Sequence, residues 1–418
     1  MTDEKGTGGV IGWFREGSPA ARRSLIAAAL GWMLDAFDVL LYSLVIRAMM
    51  ADIGLTITMA GFLGALTLAA SGLGGVVFGV VADRFGRRRA MMLSILTYSI
   101  FTGVQGFTQA IWQLAICRIV IGLGMGGEWT SGAALVSETW PDRHRAKAIA
   151  FMHSFFAVGG VAAGLVVGYL LPQYGWRAVF FVGALPALLV LWIQSGVEES
   201  PLWLQSRTER AAGKPKADTG AIFRPPLRRL TILLTGLSLF TLFAYWGLNF
   251  WVPTYLSLPI ERGGAGLDTA WTTRIFVAMQ IGMWFGLVSF GHVCDAFGRR
   301  RSYVLYLIVG AIFVLLFVWT RNPVALLVLG PLVTFFGTGQ LSGFGVTSAE
   351  VYPTAVRAAG QGFTFNVGRI GSAFAPFIAG ALAQSQGFGV AFAVTAGALL
   401  LGALMWIWLP ETRGRSLA

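Results

Sequence analysis

Runs of apolar residues long enough to cross a bilayer recur twelve times along this chain. Each crossing needs about 20 such residues, and inside hydrocarbon every backbone N–H and C=O must be bonded within a helix or a closed barrel. The runs fall at 24–49, 58–82, 90–109, 111–137, 147–171, 176–195, 229–257, 269–294, 302–320, 323–349, 358–385 and 388–409. They are too long and too rich in glycine for barrel strands, which alternate with period two over about ten residues. The pattern predicts an all-α integral membrane protein with twelve transmembrane helices. Of the 418 residues 56% are apolar and only 12% charged, against about a quarter charged in soluble domains. That balance excludes a soluble enzyme and a disordered chain. Cys117 and Cys294 both lie in apolar runs and lack metal-type spacing. The first run follows Arg22 and Arg23 but is interrupted by Asp35 and Asp38 and has no convincing cleavage site, so it reads as a retained span.

The net charge of +12 is an orientation signal. Twenty-four of the 31 Lys and Arg residues fall before span 1, after each even-numbered span or after span 12. Five lie on the opposite side, and Arg118 and Arg369 lie within spans. The bias predicts cytoplasmic termini and leaves no nucleic-acid patch. One long polar linker, 196–228, divides an N-terminal six-helix bundle (1–195) from a C-terminal one (229–418). Arg outnumbers Lys 27 to 4, which fits a GC-rich bacterial genome and hence a bacterial inner membrane.

The two halves repeat at an offset of 212 residues. Gly79-x-x-x-Asp83-Arg84-Phe85-Gly86-Arg87-Arg88-Arg89 returns as Gly291-x-x-x-Asp295-Ala296-Phe297-Gly298-Arg299-Arg300-Arg301. Glu138, Pro141 and Arg145 return as Glu350, Pro353 and Arg357, and Glu199-Ser200 returns as Glu411-Thr412. Six spans bring the chain back to its starting side, so the repeats are parallel. Their pseudo-twofold axis along the membrane normal places a substrate site between the halves near the midplane.

On these residues the chain resembles the major facilitator superfamily of transporters over nearly its whole length. The Gly79-to-Arg89 segment matches the signature of that superfamily between spans 2 and 3, and Arg118-x-x-x-Gly122-x-Gly124 resembles its second signature. Glu199-Ser200-Pro201-Leu202-Trp203 and Pro410-Glu411-Thr412-Arg413-Gly414 resemble the motifs that end each half in sugar and metabolite porters. Asp35-x-x-Asp38 resembles the paired acids of the aromatic-acid and sialate proton symporters, and Gly126-Gly127-Glu128-Trp129 a stretch common among metabolite:proton symporters. The resemblance implies the major facilitator fold, two pseudo-symmetric six-helix bundles working by alternating access. Ala296 departs from Arg84 of the first half, which implies a weaker clasp there.

Of 19 acidic residues only Asp35, Asp38 and Glu128 lie well inside spans. A charge at the bilayer centre costs several kcal/mol, so each marks a functional site by default. At about 1.5 Å of rise per residue, Asp35 stands about 15 Å and Asp38 about 20 Å above the cytoplasmic edge. Arg118 is level with Asp38 at about 20 Å, and Glu128 lies at about 5 Å, near His153. A carboxylate that alternates between pairing with Arg118 and facing water loads and releases a proton, which makes Asp35, Asp38, Glu128 and Arg118 the proton-coupling candidates. The bland alternative is a permanent Asp38–Arg118 pair that only joins spans 1 and 4. For His153 a satisfied helix interface is the plainer reading.

Arg369 is the substrate clue, because its planar fork suits a carboxylate. The alternative is that it pairs with Glu128, Asp35 or a backbone carbonyl. Tyr245 and Asn249 share a face of span 7 at i and i+4, and Gln280, Gln340 and Asn366 add polar side chains from the same half. These six residues are the substrate-binding candidates; the alternative for the polar ones is helix-to-helix hydrogen bonding. At the loops Asp83, Arg87, Glu138 and Arg145, with Asp295, Arg299, Glu350 and Arg357, read as a cytoplasmic gate of charge-assisted bonds that break when the protein opens inward. The glycines of spans 2 and 4 read as packing; Gly122-x-Gly124-x-x-Gly127 sits mid-span with no strand before it, so it is no dinucleotide fingerprint.

The function expected is proton-coupled symport of a small organic acid anion, with a sugar or polyol porter as the alternative. A drug exporter fits less well, since Gly159-Gly160 carries no proline, and nothing supports a receptor or an enzyme. No metal and no cofactor are expected, protons being the coupling ion. The expected partners are a small carboxylate substrate and the lipid bilayer, with no nucleic acid, and the chain is expected to act as a monomer.

Overall fold

The computed structural model describes residues 12–201, 203–205, 219–353 and 356–413. All regular structure among them is helical. The α-helices of eight residues or more are α1 (Pro19–Ile53), α2 (Ile57–Phe85), α3 (Arg87–Gln105), α4 (Ile111–Thr139), α5 (Asp142–Val182) and α6 (Leu189–Gly196) in the first half, which a short helical turn at Gly12–Glu16 precedes. The second half has α7 (Leu227–Ser257), α8 (Thr269–Phe297), α9 (Arg299–Trp319), α10 (Pro323–Gly339), α11 (Phe344–Val351), α12 (Arg357–Ser372), α13 (Ala375–Gln386) and α14 (Phe388–Met405). Residues 202 and 206–218 of the expected linker lie outside the described residues.

Local chemistry sets the ends. Ser18 caps α1 by accepting from the Ala21 N–H at 3.1 Å, with Pro19 in the first turn, and Gly54 ends the helix at φ 67°. Asp268 caps α8 at the Trp271 N–H, 2.7 Å away. The tight turns between α2 and α3 and between α8 and α9 each need one left-handed residue. Gly86 at φ 106° and Gly298 at φ 92° supply them, one repeat apart.

Nine segments are long and apolar enough to span a membrane among the described residues, and they cover ten of the twelve expected spans, all but the third and the eleventh. Lys147–Gly196 holds the fifth and sixth together, α3 is made more polar by Arg87, Arg88 and Arg89 at its start, and the eleventh is divided between α12 and α13. Several spans expected to be continuous are broken. The kink of α5 at Gly175, φ 73°, three residues after Pro172, is not one of these, since it falls in the junction expected between the fifth and sixth spans. The sixth span is interrupted by a 3-10 turn at Leu185–Leu188 containing Pro186, and the tenth by Gln340–Gly343.

Within the first half α4 packs on α2 and α3, and α1 on α5; within the second, α10 packs on α8 and α9, and α7 on α12 and α14. The halves meet along two related seams, α5 against α8 and α13 against α2, with α1 touching α7. The seam contacts gather at the end away from the arginine-rich turns. There Gln384 accepts from the Thr58 N–H and hydroxyl at 2.9 and 2.8 Å, and Ser43 donates to the Phe250 carbonyl at 2.5 Å. Toward the arginine-rich end, no seam of that extent joins α4 to α10 or α11 among the described residues.

Candidate functional site between the halves

α1, α4 and α12 carry the in-span charges into the middle of the molecule. Asp35 and Asp38, one turn apart on α1, are 2% and 0% exposed; Arg118 and Glu128 on α4 are both 1%, and Arg369 on α12 is 7%. None of these five makes an ion pair within 4.0 Å among the described residues. Arg369 stands within electrostatic reach of Asp35 and Glu128, both from the other half. Asp38 likewise lies in reach of Arg118.

The expected Asp38–Arg118 pair is therefore not a contact pair. Asp38 accepts a short hydrogen bond from the Thr102 hydroxyl of α3. Arg118 instead lies over the Tyr42 ring, 3.7 Å from its centroid, a cation–π contact that holds the guanidinium while leaving Nε and Nη2 without hydrogen bonds. A small cavity beside it is lined by Tyr42, Thr67, Trp246 and Phe250. Glu128 reaches α1 where Gly31 lacks a side chain; a Cβ there would strike its carboxylate.

Polar groups with unused hydrogen-bonding capacity surround the charges. Asp35 Oδ1, Asp38 Oδ2, Glu128 Oε2, His153 Nε2, the Tyr245 hydroxyl, Asn249 Oδ1 and Gln280 Oε1 are buried without a partner among the described residues. Asn249 spends its amide on the Tyr245 carbonyl at 3.2 Å, and Gln280 crosses the seam to lie against Gly160. Gln340 is buried and donates to the Gly337 carbonyl of its own turn, at 3.4 Å. Asn366 is exposed and bonds Gly362, so the structure does not gather it among the buried groups. Gly362, Asn366 and Arg369 follow one face of α12, and exposure falls along it toward Arg369.

An aromatic belt runs beside this set. Trp32 and Trp129 stand 4.8 Å apart, Trp129 and His153 4.7 Å, and Tyr245 and Trp246 4.9 Å, with Phe156 bridging Trp32 to Tyr245. His153 sits inside this belt, with its Nε2 left without a partner among the described residues. Sequence reasoning missed Tyr42, Thr102, Trp32 and Phe156. Tyr42 is one turn from Asp38 on α1, and that spacing was the available signal.

At the arginine-rich end the loop residues form two matching clusters. Arg87 pairs with Asp83 at 2.7 Å and Glu138 at 3.0 Å; Arg299 pairs with Asp295 at 2.6 Å and Glu350 at 2.8 Å. Each of these pairs stays within its own half. Arg357 donates to the Ala349 and Tyr352 carbonyls, and Arg145 lies half-buried at the start of α5. Glu199 accepts from the first N–H groups of α3, and Glu411 from those of α9 at 2.9 and 3.1 Å. Partial burial works to raise the Glu411 carboxyl, but the N–H groups of Arg299, Arg413, Arg300 and Thr412 hold it below the ordinary range.

Two parallel six-helix halves enclosing buried charges form a transporter architecture, and sequence comparison identifies which one. The Major Facilitator Superfamily family model matches residues 25–271 and 261–417. The chain belongs to that superfamily. It is a multi-pass membrane transporter of small molecules and not an enzyme. It is 33% identical to the sialic acid transporter of Escherichia coli over 92% of this chain and 93% of that protein. It is also 33% identical to the cis,cis-muconate transport protein of Acinetobacter baylyi, over 93% and 94%. The crystal structure of a D-xylose–proton symporter superposes with a TM-score of 0.78, covering 94% of this chain and 99% of that one at 21% identity, a likeness of fold.

Proposed function

We propose that the protein is a proton-coupled symporter of a small organic acid anion. The observation that carries this reading is Arg369, a buried guanidinium with no ion pair among the described residues, in electrostatic reach of Asp35 and Glu128 across the interface. A carboxylate offers the planar pair of acceptors that such a fork binds. Tyr245, Asn249, Gln280 and the aromatic belt line the approach and bind the rest of the anion. Relatives named for sialic acid and cis,cis-muconate, both carboxylates, support this substrate class.

Coupling follows from charge balance. An anion on Arg369 weakens that cation's hold on Asp35 and Glu128, so the carboxylates take up a proton as substrate binds. Asp38 releases its proton when Arg118 approaches, and the hydrogen bond donated by Thr102 stabilises the carboxylate that remains. The arginine-rich end faces the cytoplasm of a bacterial inner membrane, by the Lys/Arg bias. The Arg87 and Arg299 clusters brace their own halves while that end is open and close against each other when it shuts. Each chain holds its complete route and works as a monomer.

The test is reconstitution into liposomes with an internal pH dye, followed by mono-, di- and aromatic carboxylates beside neutral sugars, with protein-free liposomes subtracted. Acidification on adding a carboxylate but no sugar is expected. Acidification by a sugar alone would replace this reading with a sugar or polyol porter.

A further inference from the structure

The second half carries a groove that transport does not use. About 730 Å³ of open space lies against the first turns of α9, at the arginine-rich end. Its walls are apolar and face outward: Phe297 is 63% exposed, Leu305 53% and Ile308 39%. Its rim is cationic, formed by Arg300, Arg301 and Arg413. The guanidiniums of these three arginines make no ion pair or hydrogen bond to a described residue. Glu411 also borders the groove, but its carboxylate is spent on the α9 amides, so it neutralises the helix end and leaves the arginines unbalanced.

Depth matches this arrangement to one kind of occupant. Leu305 and Ile308 lie about 7 to 12 Å along α9 from Arg300, at 1.5 Å per residue. Charge at the face of the membrane above apolar wall within it is the profile of an anionic phospholipid, phosphate at the rim and acyl chain in the groove. The pseudo-symmetric place in the first half differs. One repeat earlier, Arg413 becomes Pro201, and the Arg88 guanidinium, counterpart of Arg300, is bonded to the Val197 carbonyl at 3.1 Å. We propose that the α9 groove is a binding site for one anionic phospholipid, with Arg300, Arg301 and Arg413 holding its phosphate.

The full-length protein in mixed micelles, titrated with dioleoyl phosphatidylglycerol or dioleoyl phosphatidylcholine and read by native mass spectrometry, tests the site. One phosphatidylglycerol should be retained in preference to phosphatidylcholine. Arg300→Gln, Arg301→Gln and Arg413→Gln should weaken retention about fivefold for each arginine removed. Arg88→Gln with Arg89→Gln should leave it unchanged. Leu305→Trp, which fills the groove and keeps the arginines, should also weaken it, and decides the matter if the triple variant does not fold. Equal retention of the two lipids, or unchanged phosphatidylglycerol binding in the variants, would overturn the proposal. So would full competition by glycerol 1-phosphate, which lacks acyl chains, or a dimer mass that Leu305→Trp abolishes, which would make a second copy of the chain the occupant.

Discussion

A carboxylate buried in hydrocarbon without a contacting cation costs several kcal/mol, and this chain keeps three of them between its helices. Such a cost persists where protonation state is part of the mechanism. Asp38→Asn removes the titratable group while keeping the shape and the Thr102 contact, so substrate counterflow should survive and pH-driven accumulation should vanish. Accumulation at the wild-type rate would take Asp38 out of coupling. Arg369→Lys keeps the charge but loses the two-pronged geometry, and should weaken carboxylate binding about tenfold, as expected when about 1.4 kcal/mol of charge-assisted bonding is lost. Tryptophan quenching by substrate would measure it, and unchanged affinity would make Arg369 structural. These charged positions were legible in the sequence because a charge inside an apolar run has few bland explanations. Tyr42 and Thr102 were not, because aromatic and hydroxyl side chains are ordinary in spans, and what makes them special is the neighbouring helix that each one meets.

At the scale of elements, glycine sets how closely helices approach. α2 and α4 pack almost backbone to backbone, and a Cβ on Gly126 would strike the Ser71 carbonyl, while one on Gly122 would strike that of Thr67. Backbone cannot move aside as a side chain can. Gly126→Ala should therefore destabilise the first half by about 1–3 kcal/mol, seen as a lower unfolding midpoint in detergent. Gly291→Ala serves as control, since nothing lies within 4 Å of its added carbon. Equal midpoints for the two would show that the seam yields. The packing role of these glycines was readable from their density alone. The breaks in the spans were harder to read. Pro186 sits at one of them, yet Pro253 lies inside the unbroken α7, and Gln340–Gly343 breaks the tenth span without a proline of its own, Pro331 lying inside the helix before it. Neighbouring helices decide which interruption becomes a break, and a single span does not contain them.

For the whole molecule, the repeat at 212 residues already dictated two parallel halves, because it matched loops, helix ends and span ends at a single offset. Hydropathy gave the number of spans but not which end of the interface is closed, since that depends on how two rigid bodies lean together. The closed end is held by small, specific contacts: Thr58 with Gln384, Ser43 with the Phe250 carbonyl, and Gly61 against Pro376. A transport cycle in which the halves rock about a central site must part all three. Cysteines introduced as Thr58→Cys and Gln384→Cys, in a chain with Cys117→Ser and Cys294→Ser, would place two thiols where those side chains now bond. Joining them with a short thiol crosslinker should stop solute flux in liposomes, and a cleavable linker should restore flux on reduction. Substrate binding from the arginine-rich end, read by tryptophan quenching, should persist in the linked protein, because Arg369 and the exposed face leading to it lie on the far side of the bridge. If fully linked protein still moved solute, the halves would not need to separate at this end, and transport would have to proceed by bending of the helices that are already broken.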